Sequence, residues 1–121
     1  MIVGIGTDLC RISRMRRATE NAHFVGKVFS DEEIEYARGA GDPAPHFAGA
    51  YAAKEALAKA TGLGMFAMGL RESWVRRTES GPVVECSARL RERLEERGIR
   101  RVWLTISHEG EYALAFVVLE S

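Results

Sequence analysis

The sequence predicts an α+β fold, an antiparallel sheet with helices packed on one face. Three observations carry that expectation. The chain opens on a glycine-punctuated strand, its middle is dominated by strong helix formers, and its second half returns to short alternating strands joined by turns. At 121 residues it reads as a single domain, 1–121, small but able to bury a core.

The elements follow in order. Ile2 to Leu9 alternates, with Val3, Ile5 and Thr7 on one face and Gly4 and Gly6 on the other, and it delivers Asp8 at its end. Glycine inside a strand marks close approach of a ligand or another backbone. Ser13 is placed to cap an arginine-rich helix running to about Ala22, and His23–Phe29 reads as an apolar connector. Ser30 with Glu33 makes a capping box for a helix that stops near Gly39. Residues 39–45 form the clearest loop, through Pro43 and Pro45. Tyr51–Gly62 is an alanine-rich helix, and Gly62 to Phe66 reads as a flexible exit. Strands at 72–78 and 83–86 flank a turn at Glu79–Pro82. Ser87–Arg97 is an amphipathic helix, with Ala88, Leu90 and Leu94 inward and Gly98 as its stop. Val102, Leu104 and Ile106 alternate with Trp103, Thr105 and Ser107, Ser107–Glu111 reads as a turn, and Tyr112–Leu119 is a last strand that is apolar on both sides. Such a strand is expected where both faces are covered.

Composition excludes more than it identifies. The hydrophobic fraction is 46%, the charged fraction 28% and the net charge zero. Nothing global points to nucleic acid or membrane. Cys10 and Cys86 have neither metal-ligand spacing nor a framework, and no run approaches the ~20 apolar residues of a membrane span. The expectation is a soluble, cytoplasmic protein with reduced thiols. Arg11, Arg14, Arg16 and Arg17 fall together without an acid among them, which is either a solvated helix face or a patch for an acidic partner.

Three places stand out chemically. Asp8 ends the first strand, Glu55 and Lys59 lie one turn apart on the alanine-rich helix, and Ser107-His108 opens the last hairpin. On that helix Ala48, Ala52, Glu55 and Lys59 form one stripe, and the small residues Gly49, Ala53, Ala56 and Ala60 form another that suits close packing. Each place has a bland alternative: Asp8 as a helix cap, the charge pair as a solvated i, i+4 contact, the histidine as a turn residue.

Together, Gly4-Ile5-Gly6-Thr7-Asp8, Phe47-Ala48-Gly49 with Ala52-Ala53-Lys54-Glu55-Ala56 and Lys59-Ala60, and Ile106-Ser107-His108 with Tyr112-Ala113 and Ala115 resemble the motifs of the holo-acyl-carrier-protein synthases, the small phosphopantetheinyl transferases. The resemblance runs from Ile2 to Glu120 in the same order. It implies transfer of 4'-phosphopantetheine from coenzyme A to a serine of apo acyl carrier protein, as in fatty acid biosynthesis, releasing adenosine 3',5'-bisphosphate. By that analogy Asp8 and Glu55 are Mg²⁺ ligands, Lys59 stabilises charge on the leaving group, and Lys59, Gly62, Ser107 and His108 bind coenzyme A. Glu55, Lys59 and His108 are the catalytic set, with Glu55 as base, directly or through a water on the metal. Two carboxylates on separate elements suit Mg²⁺, which keeps positions for waters and phosphate oxygens. Arg14 and Arg17, with Phe24, are the expected docking residues for the acidic carrier, and Arg11 is expected on the same face. Relatives also imply a homotrimer with active sites between subunits.

The chain departs from that pattern at Ala50, where many relatives carry an arginine for the 3'-phosphate of coenzyme A, and at Tyr51 in place of Phe or Trp. His46 and Arg38 are candidates to compensate. Ala50 is the one feature favouring a rival reading, a catalytically silent carrier-binding relative.

Overall fold

The computed structural model describes residues 1–121, the whole sequence. Its elements are β1 (Ile2–Arg11), α1 (Ile12–Ala18), α2 (Ala22–Val28), α3 (Asp31–Arg38), α4 (Ala44–Thr61), α5 (Met65–Met68), β2 (Ser73–Thr78), β3 (Gly81–Cys86), α6 (Ala88–Glu96), β4 (Arg101–Glu109) and β5 (Tyr112–Glu120). The expected α+β architecture is present, with the strands divided between an antiparallel sheet ordered β1-β5-β4 and a separate β2-β3 hairpin. Helix α4 lies across the inner face of the larger sheet, over β1 and β5.

The glycines of β1 explain how close α4 comes. A Cβ on Gly4 would collide with the carbonyl oxygen of Ala60, and one on Gly6 with that of Ala56. The close approach expected at these glycines is therefore to the small-residue stripe of α4, backbone against backbone. The rest of α4 is buried almost all round, from Ala44 to Thr61. Gly62 ends it in the left-handed region at φ 76°, with its N–H returned to Ala58 and Lys59.

One charged side chain sits inside this core. Lys54 pairs with Glu33 Oε1 at 2.9 Å, with side chains only 1% and 2% exposed, and it also donates to the Ser73 carbonyl. Glu33 accepts the Ser30 and Val75 N–H groups as well, so one carboxylate ties the cap of α3 to α4 and β2. Burial pushes the Lys54 ammonium below its ordinary pKa, and the Glu33 charge opposes that shift. Removing one member of such a pair costs about 3–5 kcal/mol, because the other charge is left buried and unpaired.

Several local expectations need correction. Arg11, without a side-chain cap, precedes α1, and Ser13 lies within the first turn. The helix ends at Ala18, and the supposed connector is α2, capped by the Asn21 carboxamide accepting the His23 and Phe24 N–H groups. Pro43 starts α4 rather than prolonging the loop, since proline's fixed φ suits the first turn. The exit after Gly62 contains the short α5. In the β2-β3 hairpin Thr78 pairs Gly81, so Gly81 and Pro82 belong to a strand. Ala88 of α6 faces solvent, while Leu90 and Leu94 are buried. Ser107 and His108 lie in β4, and Gly110-Glu111 makes the turn.

Only one face of β5 is covered in a single chain. Ala113, Ala115, Val117 and Leu119 are buried under α4, whereas Leu114 and Phe116 look outward. Gly6→Ala should lower stability by at least about 3 kcal/mol or abolish folding, because neither backbone can yield. Gly26→Ala, in an open mid-helix position, should raise it by about 0.5–1 kcal/mol. Urea denaturation of the two variants checks both signs.

Candidate functional site

Close packing of β1 on α4 decides which side chains meet. Asp8 leaves β1 toward the inner face, and Lys59 reaches it from the last turn of α4. The Lys59 ammonium lies 3.2 Å from Asp8 Oδ1 and 3.1 Å from the Thr7 carbonyl oxygen. Glu55 stands one turn earlier on the same face of α4, half-buried. The expected stripe is thus real, but the near partner of Lys59 is Asp8.

Two neighbours bind this group together. Cys10, buried beneath it, has its thiol pushed up by burial, against the opposing field of Arg14, with Asp8 and Glu55 adding to the rise. All three charges therefore lie close to one sulfur. Tyr51, one turn before Glu55, has its phenol pushed up first by burial, then by the Glu55 charge and a hydrogen bond to that carboxylate. Tyr51 thus lies beside Glu55, where the sequence offers it only as a departure; its i, i+4 spacing from Glu55 is the available signal.

The donor set suits a hard cation. Asp8 and Glu55 offer carboxylate oxygens, and no group of three or more His, Cys, Asp or Glu side chains gathers anywhere in the chain. Two carboxylates leave the remaining positions for water and substrate oxygens, as Mg²⁺ prefers. The Lys59 ammonium beside Asp8 shows that the spot already favours positive charge.

Ser107 and His108 do not join this group within one chain. Asp8 pairs in register with Ala115, which pairs with Ile106; His108 lies one side-chain row further along β4, with β5 between. Two strand spacings put it about 10 Å from β1. His108 instead faces His46 at the start of α4, with ring centroids 6.4 Å apart. Arg38 makes no ion pair and is absent from the charges acting on His46. Ala50 is buried at 4% exposure.

The arginine patch is smaller than expected. Arg14 and Arg17 are exposed on α1 and take no carboxylate partner, but Arg16 is held by Asp42 at 2.6 Å. Arg11 ends β1, donating to the Tyr112 hydroxyl at 3.0 Å, so it leaves the shared face. Phe24 is half-buried at the start of α2, edge-on to Phe29. Gly62 is exposed just past Lys59.

Residues 4–117 match the family model of the 4'-phosphopantetheinyl transferase superfamily. A holo-[acyl-carrier-protein] synthase from Clostridium novyi is 38% identical over 122 residues, covering 99% of this chain and 88% of that protein. The solved structure of the corresponding synthase from Neisseria meningitidis matches with a TM-score of 0.92 at 38% identity, over 100% of both chains. A synthase from Bacillus anthracis in complex with CoA (3',5'-ADP) matches with a TM-score of 0.82 at 33% identity, covering 100% of this chain and 98% of that one.

Proposed function

Since the chain belongs to the 4'-phosphopantetheinyl transferase superfamily, we infer that the Asp8–Glu55–Lys59 group is where it acts on coenzyme A. The enzyme is a holo-[acyl-carrier-protein] synthase in activity: it moves 4'-phosphopantetheine from coenzyme A to a serine of apo acyl carrier protein. The serine hydroxyl oxygen forms a bond to the phosphorus bearing pantetheine. The bond from that phosphorus to the bridging oxygen breaks, and adenosine 3',5'-bisphosphate leaves with the electron pair.

The single observation that carries the assignment is the convergence of Asp8 and Lys59, about fifty residues apart in the chain, beside Glu55. Asp8 and Glu55 would hold Mg²⁺, which supplies charge neutralisation for the pyrophosphate when bound. Lys59 is mobile enough at 57% side-chain exposure to turn from Asp8 to the departing phosphate, where it stabilises developing charge. Glu55 takes the serine proton, and the Tyr51 hydroxyl orients its carboxylate. Gly62 leaves the approach to Lys59 without a side chain. His108 and Ser107 donate to the coenzyme A phosphates. The 1–121 chain works as one domain, and its place is the cytoplasm; no helix is long and apolar enough to cross a membrane.

Arg14, beside Cys10, and Arg17, one turn on along α1, both without a carboxylate partner, would receive the acidic carrier protein, with Phe24 as an apolar contact. Charge of this kind steers encounter and is screened by salt.

The homotrimer gains support from two features. Ile5, Leu9, Trp103, Leu114 and Phe116 form an exposed apolar outer sheet face, with Ile5 at 62% and Trp103 at 53% exposure. Patches of this kind mark contact surfaces. The separation of His108 from Asp8 is the second feature. An arrangement in which one protomer's Asp8, Glu55 and Lys59 face another's Ser107 and His108 both covers the apolar face and completes the site.

Intact mass spectrometry of apo acyl carrier protein incubated with enzyme, coenzyme A and Mg²⁺ should show a phosphopantetheine-sized gain. That gain should vanish with EDTA and with Glu55→Ala; near-normal transfer by the variant would sink the role of Glu55. Mixed subunits offer a second check. Glu55→Ala and His108→Ala, each inactive alone, should regain about a quarter of wild-type activity when randomly reassembled, one site in four then having both groups intact. Reassembled trimers that stay inactive would overturn the shared site. Arg14→Glu should raise KM for the carrier about tenfold at low salt with little change in KM for coenzyme A. An unchanged carrier KM in steady-state assays counts against this docking face.

A further inference from the structure

A cleft between α6 and the strands β3 and β4 shares no residue with the Asp8 group or with the surfaces described above. It holds about 480 Å³, and its floor is apolar, made by Val84, Cys86, Leu94, Ile99 and Val102. An apolar cleft of that size with a few polar groups at its edge has the form of a small-molecule site. Val102 lies on the face of β4 opposite Trp103, so covering the outer sheet face leaves the cleft open.

Its helical wall is held in place from behind. On the side of α6 away from the cleft, Arg93 donates to the Ala67 carbonyl at 2.8 Å and Arg97 to the Thr61 carbonyl at 3.2 Å. Gly98 then turns the chain at φ 77°, and the Ile99 N–H returns to the Leu94 carbonyl at 3.0 Å, which brings Ile99 under the helix.

The rim is charged and unpaired. Arg91, from α6, and Arg100, just before β4, line the same cleft, and neither makes an ion pair. Nearby acids are engaged elsewhere: Glu85 by Arg76 at 3.4 Å, and Glu120 by the Trp103 indole at 3.0 Å. Glu95 is the one carboxylate at the rim, a turn from Arg91 and unpaired with it. The Arg91 field reaches the floor: burial pushes the Cys86 thiol up to about 11, and Arg91 is the foremost charge opposing that rise.

An apolar floor beneath two free arginines suits a molecule with an apolar body and one negative charge. A bare phosphate would leave the floor unused, and a second negative charge would meet Glu95. We propose that this cleft binds an apolar monocarboxylate, of which a fatty acid is the simplest, with its chain on the floor and its carboxylate on Arg91 and Arg100. The site is separate from the coenzyme A chemistry and does not depend on the transferase reading.

Calorimetric titration of decanoate, below its micelle concentration, should show one saturable site per chain. Decanol, the same chain without charge, should bind about tenfold more weakly, and acetate should not bind measurably. In methyl-labelled NMR spectra decanoate should shift Val84, Leu94, Ile99 and Val102, while Leu9 and Leu114 on the outer sheet face stay in place. Reversing both charges, with Arg91→Glu and Arg100→Glu at exposed positions, should lower decanoate affinity to that of decanol. Circular dichroism melts check the fold of that variant; if it does not fold, the decanol comparison and the methyl map on the wild type decide. No saturable binding, equal binding of decanol, shifts centred on Leu9 and Leu114, or undiminished affinity in the folded variant would each overturn the proposal.

Discussion

The site depends on one contact, the packing of β1 directly on the backbone of α4. Gly4 and Gly6 let the strand approach until only hydrogen atoms separate it from the Ala56 and Ala60 carbonyls. Any side chain at those positions would push the helix away, and Asp8 would lose Lys59. The distances at the candidate centre are thus set by absent side chains. Dispersion and apolar burial reward the contact, since the helix is covered along most of its length.

The buried Lys54–Glu33 pair adds a second constraint. Two charges removed from water are costly, and the cost is met here by three further polar contacts, to Ser30, Val75 and Ser73. What results is positional: α3, α4 and β2 are tied at one point. Lys54 precedes Glu55 by one residue, so fixing the lysine inside the core sets the glutamate about 100° round the helix from it, half-buried beside Cys10. The same tie sets the base of β2, the strand that carries Arg77 to the far end of α4.

Charge is therefore divided along α4 by a single geometry. Its C-terminal half meets Asp8 and offers carboxylates flanked by one ammonium. Its N-terminal half meets His108 and Arg77, which takes no carboxylate partner, although Glu35 lines the adjoining cleft. The two ends differ by about 14 Å from His46 to Glu55 at the rise of an α-helix. A substrate with separated phosphates and a reacting phosphorus would suit both kinds of environment, and in the proposed trimer the apolar sheet face would bring ends from different protomers together.

The sequence by itself determined the fold class, the capping box at Ser30 and Glu33, the alternation of β1 and β4, and the stripe of Glu55 and Lys59, because each rests on spacing between near neighbours. Local signals also misled where two were close in strength. Ser13 is a good cap by residue type, yet α1 begins before it, the helix that Asn21 caps reads as a connector in the sequence, and Gly110-Glu111 was hidden within a longer polar run. Tertiary structure alone decided that Glu33 would leave its capping role half-shared with a buried lysine, that Arg11 would turn to Tyr112, and that Arg77 would stand unpaired over Tyr36. Those outcomes depend on residues distant in the chain, and burial, which sets the strength of every charge among them, exists only once the chain has closed on itself.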